Sequence, residues 1–265
     1  MKRGDMLPKH FFAGVYAKDR RLVEFRVVKK NVVGALAKVT ALLAELGVDL
    51  CSGFLSAYPG EARSVFSFVA DLSGVGVSPA VVAERLRGLD VVLDVRYSEP
   101  TIPGFMVDVL HFPLLSLGER SVSFTVRVLG AIFKRLYEVY GSGGAFILYD
   151  MGVEAGRAKV EAVRSRYRLD GRDVLELILE ERVAKGWCLP RLVEFNSNEA
   201  KVEVDVYELF ECGAFRGGAA QSSFFRGYLA GVLRTLFRED VEVVEDMCVA
   251  KGDEYCRFKS GLKEV

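Results

Sequence analysis

Apolar and polar positions change period several times along the chain, and each change marks an element. Residues 22–28, LVEFRVV, alternate as a strand does. VGALAKVTALLAELG (33–47) then spaces its apolar residues as a helix, with Gly47 as its stop. VDLCSGFLSAY (48–58) and RSVFSFVADL (63–72) read as two strands joined by a turn that contains Pro59 and Gly60. SPAVVAERLRGL (78–89) opens with Ser78 as a cap and Pro79 at the first helical position, and it ends near Gly88. VVLDVRY (91–97) is a last strand. The order βαββαβ predicts a ferredoxin-like unit over residues 1–98.

Pro100, Pro103 and Gly104 crowd into SEPTIPG, so residues 99–105 read as a linker and 106–265 as a second domain. There Val122, Val126, Leu129, Phe133, Leu136 and Tyr140 form a helical stripe that stops at GSGG (141–144). Further helices are predicted from Ala145 to about Arg164 and from Arg172 to Lys185. Val202, Val204 and Val206 alternate with Glu203 and Asp205 as a half-buried strand. QSSFFRGYLAGVLRTLF (221–237) is a last helix, and VEVVEDMC (241–248) with YCRFKS (255–260) closes as a hairpin around AKGDE. Helices followed by antiparallel strands make the fold class α+β, with helices packed on an antiparallel sheet.

Charge narrows the partners. Lys+Arg and Asp+Glu balance at 36 each, so no bulk field draws the chain to nucleic acid or anionic lipid. No apolar run approaches the ~20 residues of a membrane span, and no long apolar run follows the basic start, so a cytoplasmic chain is expected. An odd number of cysteines, five, suits a reducing compartment. A single Gln (Gln221) and only Asn31, Asn196 and Asn198 hint at a thermophile.

Cys248 and Cys256 sit symmetrically about Gly252, and on a hairpin they would face each other. Three readings stand: metal ligands, a disulfide, or two thiols in the core. Glu245 precedes Cys248 by an odd offset, so in a regular strand its side chain points to the opposite face unless a bulge intervenes. His10 and His111 are the only histidines, and neither lies in a ligand-spaced motif; His111 reads as a packed or surface residue. No hydrolase, zinc-protease or Walker motif is present, and GSGG lacks the lysine of a phosphate loop. Gly227 and Gly231, flanked by Arg226 and Arg234, suggest close packing of a soluble helix rather than a membrane dimer.

Two resemblances add to this. NVVGALAKV (31–39), with Gly34 and Leu36 in place and Asn31 where an acid is usual, resembles the strand-to-helix turn of ACT domains. That likeness implies a small-molecule site, such as one for an amino acid, at Asn31, Gly34 and Leu36, or a module that only pairs. LYDMGVEAGRA (148–158), GW (186–187), FEC (210–212), GYLAG (227–231) and EDMCVAKGDEYCRF (245–258) together resemble the 4-vinyl reductase domain. That domain also serves as the aromatic-effector sensor of bacterial activators. In those sensors zinc is held by the paired cysteines with a further cysteine and a glutamate, which implies Cys212 and Glu245 beside Cys248 and Cys256. Aromatic residues Phe133, Tyr137, Phe146, Tyr149 and Trp187 are candidates for lining an apolar pocket, Trp187 foremost by the same likeness. Both families pair, so a homodimer is expected. The resulting expectation is a regulatory protein that binds an apolar or aromatic molecule. A reductase of a pigment or isoprenoid and a ligand-free scaffold are the competing classes.

Overall fold

The computed structural model describes residues 6–213 and 222–262; Gln221, expected to open the last helix, lies outside them. The chain divides into two compact units, residues 1–122 and 123–265.

The first unit contains β1 (Gly14–Tyr16), β2 (Leu22–Lys30), α1 (Ala35–Glu45), β3 (Asp49–Ser56), β4 (Arg63–Asp71), α2 (Pro79–Arg87), β5 (Val92–Ser98), β6 (Phe105–Val107), β7 (Leu115–Ser116) and β8 (Glu119–Arg120). Its sheet runs β3-β4-β2-β5, with every neighbouring pair antiparallel. The helices begin and end where their punctuation requires. Ser78 Oγ accepts a hydrogen bond from the N–H of Val81, Pro79 takes the first position of α2, and Gly47 turns left-handed after α1.

Val23, Phe25 and Val27 alternate inward from β2 to meet Val39, Leu43, Val82 and Leu86 of the two helices. The opposite face of the sheet is not bare. A ribbon of β1 paired with β6 brings Met106 against Leu22 and Val69. The division between units therefore falls later than the proline-rich stretch suggests: β6 pairs back to β1, so residues 106–122 go with the first unit.

The second unit contains α3 (Val126–Tyr140), α4 (Ser142–Tyr167), α5 (Gly171–Ala184), β9 (Leu189–Asn196), β10 (Lys201–Tyr207), α6 (Phe210–Gly213), α7 (Ser223–Phe237), β11 (Val241–Met247) and β12 (Cys256–Leu262). The sheet order is β11-β12-β10-β9, all antiparallel. Three local expectations are corrected. Val122 stays outside α3, which Thr125 caps through its side chain. GSGG is a break only at Gly141, and α4 begins at Ser142 rather than Ala145. Strand β9 has no counterpart in the sequence reading. Its Pro190 argues against a strand, but β9 is the sheet edge, where a missing N–H is tolerated.

Helices α4 and α7 cross at backbone contact. A Cβ built on Gly227 would lie 2.0 Å from the carbonyl oxygen of Tyr149, and one on Gly231 would lie 2.0 Å from that of Val153. Gly152 and Gly156 meet the α7 backbone equally closely, at 2.2 Å.

Register beside the hairpin is held by a buried charge. Asp205 on β10 is fully buried, and its Oδ1 accepts from Arg257 Nε at 2.6 Å and its Oδ2 from Arg191 Nη2 at 2.5 Å. Burial pushes the Asp205 carboxyl up, but the two arginines outweigh it and hold it below the usual carboxylate range. Asp205→Asn is expected to cost about 2 kcal/mol in urea melts at neutral pH, less than a fully enclosed pair because Arg191 is open to solvent. A depressed carboxyl contributes above its unfolded pKa. The gap between wild type and variant should therefore shrink as pH falls below about 4.

Candidate functional site

Two clusters meet in the core of the second unit. The first gathers Cys212 from α6, Glu245 from β11, Cys248 just after β11, and Cys256 at the start of β12, with one donor atom of each within 4.8 Å of all the others. Cys212 Sγ is 3.6 Å from Cys248 Sγ and 3.5 Å from Cys256 Sγ, well beyond the ~2.05 Å of a disulfide. Thiolates around zinc, with bonds of ~2.3 Å in a tetrahedron, stand ~3.7 Å apart. The donor set and its spacing therefore fit such an ion.

Glu245 reaches this cluster because the strand is irregular. Glu245 pairs with Phe258 and Met247 with Arg257, so Asp246 is an extra residue in β11. The bulge cancels the odd offset and turns Glu245 to the face that Cys248 and Cys256 occupy. Ser222 ties the group together: its Oγ donates to Glu245 Oε1 at 2.6 Å and lies 2.8 Å from Cys212 Sγ. The N–H of Val249 points at Cys256 Sγ from 3.5 Å, and Asp253 accepts from the N–H of Cys248 to fix the turn.

Crowding of like groups is visible in their proton affinities. The two neighbouring thiols, and burial with them, push the Cys212 thiol far up. Cys256 is raised to about 12: the contact with Cys212 lowers it, while Cys248 and burial raise it more. Burial lifts Glu245 to about 7 against the pull of Ser222. Four acidic donors that resist ionisation together are what a dication would relieve.

The second cluster is aromatic. Trp187 packs on Phe210, Phe224 and Tyr228 with ring centroids 5.5, 5.8 and 5.5 Å away, and Phe133 lies 5.5 Å from Phe224. The guanidinium of Arg182, itself buried against Glu181, sits 4.2 Å over the Trp187 ring and 5.0 Å over that of Tyr228. The buried Tyr228 hydroxyl has no hydrogen-bond partner among the described residues.

Of the aromatic residues predicted from sequence, Phe133 and Trp187 belong here, and Tyr137 packs against the same core. Phe146 does not: it is 69% exposed. Tyr149 lies under Arg226, and the cluster's ring contacts do not include it. Phe210, Phe224 and Tyr228 are absent from the sequence reading, although FEC and GYLAG carry or adjoin them.

One tripeptide connects the two clusters. Phe210 enters the aromatic group, Cys212 enters the thiol group, and Glu211 between them accepts the N–H groups of Phe224 and Phe225 at 2.9 Å each. Burial raises the Glu211 carboxyl to about 8 despite those bonds. At the turn before α1 in the first unit, Asn31 spends its amide on the carbonyls of Tyr58 and Glu61 at 2.9 and 3.0 Å. Gly34 is left-handed, and Leu36 is half-buried on α1. No helix among the described residues is long and apolar enough to cross a membrane.

The architecture of the second unit is that of a mixed antiparallel α+β domain. The vinyl-4-reductase domain family matches residues 202–262, so the C-terminal region carries a domain of that family. An uncharacterized protein of Methanocaldococcus jannaschii is 30% identical over 119 residues, which is 44% of this chain and 65% of that protein; the chain thus spans under two thirds of that relative's length. Among solved structures, the phenol-responsive sensory domain of the transcription activator PoxR, with phenol, superposes at a TM-score of 0.50. Its identity is 19%, covering 54% of this chain and 77% of that one, a likeness of fold. A vinyl-4-reductase family protein from M. jannaschii matches at 20% identity and a TM-score of 0.37, over 55% of this chain and 84% of that one.

Proposed function

We propose that this chain is a small-molecule-binding regulatory protein whose C-terminal unit takes an aromatic ligand beside Trp187. The observation that carries this reading is the Trp187–Phe210–Phe224–Tyr228 group, with a buried cation and an unpartnered hydroxyl at its edge. An apolar body with a polar tip is the chemistry such a group recognises, and a ligand hydroxyl would give Tyr228 the partner it lacks. The shared fold with a phenol-responsive sensory domain supports phenol as the probe.

In the same reading Cys212, Glu245, Cys248 and Cys256 hold one structural zinc, which pins α6 to the hairpin. The first unit is read as an ACT-like, ferredoxin-like module for pairing. Its Asn31 amide is already engaged with its own chain, which leaves the turn little to offer an amino acid. A homodimer completes the proposal: α3 turns Val128 and Ile132 outward along an apolar groove of about 580 Å³.

Trp187 is the only tryptophan, so its fluorescence reports the site directly. Phenol is expected to change that emission saturably, and Tyr228→Phe to weaken binding about tenfold, the value of one hydrogen bond. Linear, unsaturable quenching would favour the second reading, a ligand-free scaffold, because the rings already fill one another's contact distance.

A further inference from the structure

The outer face of the first sheet carries a polar cluster unrelated to the aromatic and thiol groups. Strand alternation sends Val23, Phe25 and Val27 of β2 toward the helices, and Glu24 and Arg26 to the opposite side. The segment after β6 lies over Glu24: the N–H of Val109 donates to Glu24 Oε2 at 3.3 Å, and Arg26 reaches the carbonyl of Leu110 at 3.5 Å. That segment carries Asp108 and His111. His111 Nδ1 is 2.8 Å from Asp108 Oδ1 and 3.5 Å from Glu24 Oε1, and one donor atom of each residue lies within 4.8 Å of the other two.

Glu24 is fully buried, yet its Oε1, aimed at this group, takes part in no hydrogen bond among the described residues. The nearby guanidinium of Arg26 is turned to Asp94, at 3.0 Å. Rings of Phe12 and Phe54 close over the imidazole at 6.4 and 5.0 Å. Asp108 and His111 keep 14% and 21% of their side chains exposed, which leaves a path for an ion and water.

We propose that Glu24, Asp108 and His111 bind a divalent first-row transition-metal ion that fastens the segment after β6 to the sheet. Ligand bonds of ~2.0–2.2 Å set neighbouring donors ~3.0–3.5 Å apart, a range that the two distances at His111 Nδ1 bracket. Two carboxylates and a neutral imidazole balance a dication, and water fills the remaining positions. Without the ion, the cluster gathers two carboxylates under aromatic rings. Burial raises Glu24, His111 draws it down in part, and Asp108 raises it again. The oxygen-rich donor set suits Mn²⁺, for which thiolates compete poorly.

The test is a titration of the zinc-loaded full chain with Mn²⁺, following free Mn²⁺ by electron paramagnetic resonance. One Mn²⁺ per chain is expected for wild type. Binding should fall at least tenfold in His111→Ala, Glu24→Gln and Asp108→Asn, and stay unchanged in Cys256→Ser. Glu24→Gln and Asp108→Asn preserve shape and carry the test if His111→Ala fails to fold. An absence of saturable uptake by wild type, or uptake equal in wild type and the isosteric variants, overturns the site and leaves His111 as an ion-pair partner of the two carboxylates.

Discussion

Cys256→Ser is expected to lose the chain's zinc entirely and to unfold the C-terminal unit at a markedly lower temperature. Elemental analysis of protein purified without added metal should find one zinc in wild type and none in the variant. Serine keeps the size of the side chain but not a thiolate, so packing changes little while the four-donor set falls to three. Structural zinc binds with an apparent ~10–16 kcal/mol in small folding units, so even a fraction of that exceeds the stability margin of ~5–15 kcal/mol of an ordinary domain. A strong chelator should bring wild type to the same lowered melting point and leave the variant where it is. Protein that carries no metal and melts as the variant does would reduce the cluster to buried thiols.

The second large effect is steric. Gly231→Ala places a methyl group where the carbonyl oxygen of Val153 stands 2.0 Å away, and Gly227→Ala does the same against Tyr149. Neither obstacle is a flexible side-chain tip; both are helix backbone. The α4–α7 crossing must open by roughly 1 Å or more for either substitution to reach ordinary contact. Overpacking typically costs ~1–3 kcal/mol, and a backbone obstacle in the centre of the core belongs at or above the upper end. Chemical denaturation should show a loss of at least ~3 kcal/mol for each alanine. A loss below about 1 kcal/mol would mean that the two helices adjust their separation freely.

Much of this is open to inspection in the sequence, because the signals are local. The cap at Ser78, the stop at Gly47 and the glycine pair at 227 and 231 act within a turn or on one helix face. What stays hidden depends on events at a distance. Parity sets Glu245 against its cysteines, and only the extra residue Asp246 restores it; nothing in the composition of that strand announces a bulge. Phe146 and Tyr149 are natural pocket candidates by their neighbourhood in sequence, but α4 turns Phe146 to solvent and sets Tyr149 under Arg226. Phe224 and Tyr228 complete the aromatic group from a helix far along the chain. Glu24 and His111 meet only because β6 folds back on β1, an association between two short strands with weak patterns of their own.

The tripeptide Phe210–Glu211–Cys212 gives the C-terminal unit a thermodynamic obligation. Three adjacent residues answer to an aromatic group, a helix start and a thiol group, and so share one stretch of backbone too short to flex between them. Work done on that stretch from one end is felt at the other. Whatever factor metal occupancy contributes to the affinity of an aromatic guest, the guest must return to the affinity for metal. A receptor built this way reads a metal supply and an effector through a single pivot, and its resting state is set by the more abundant of the two.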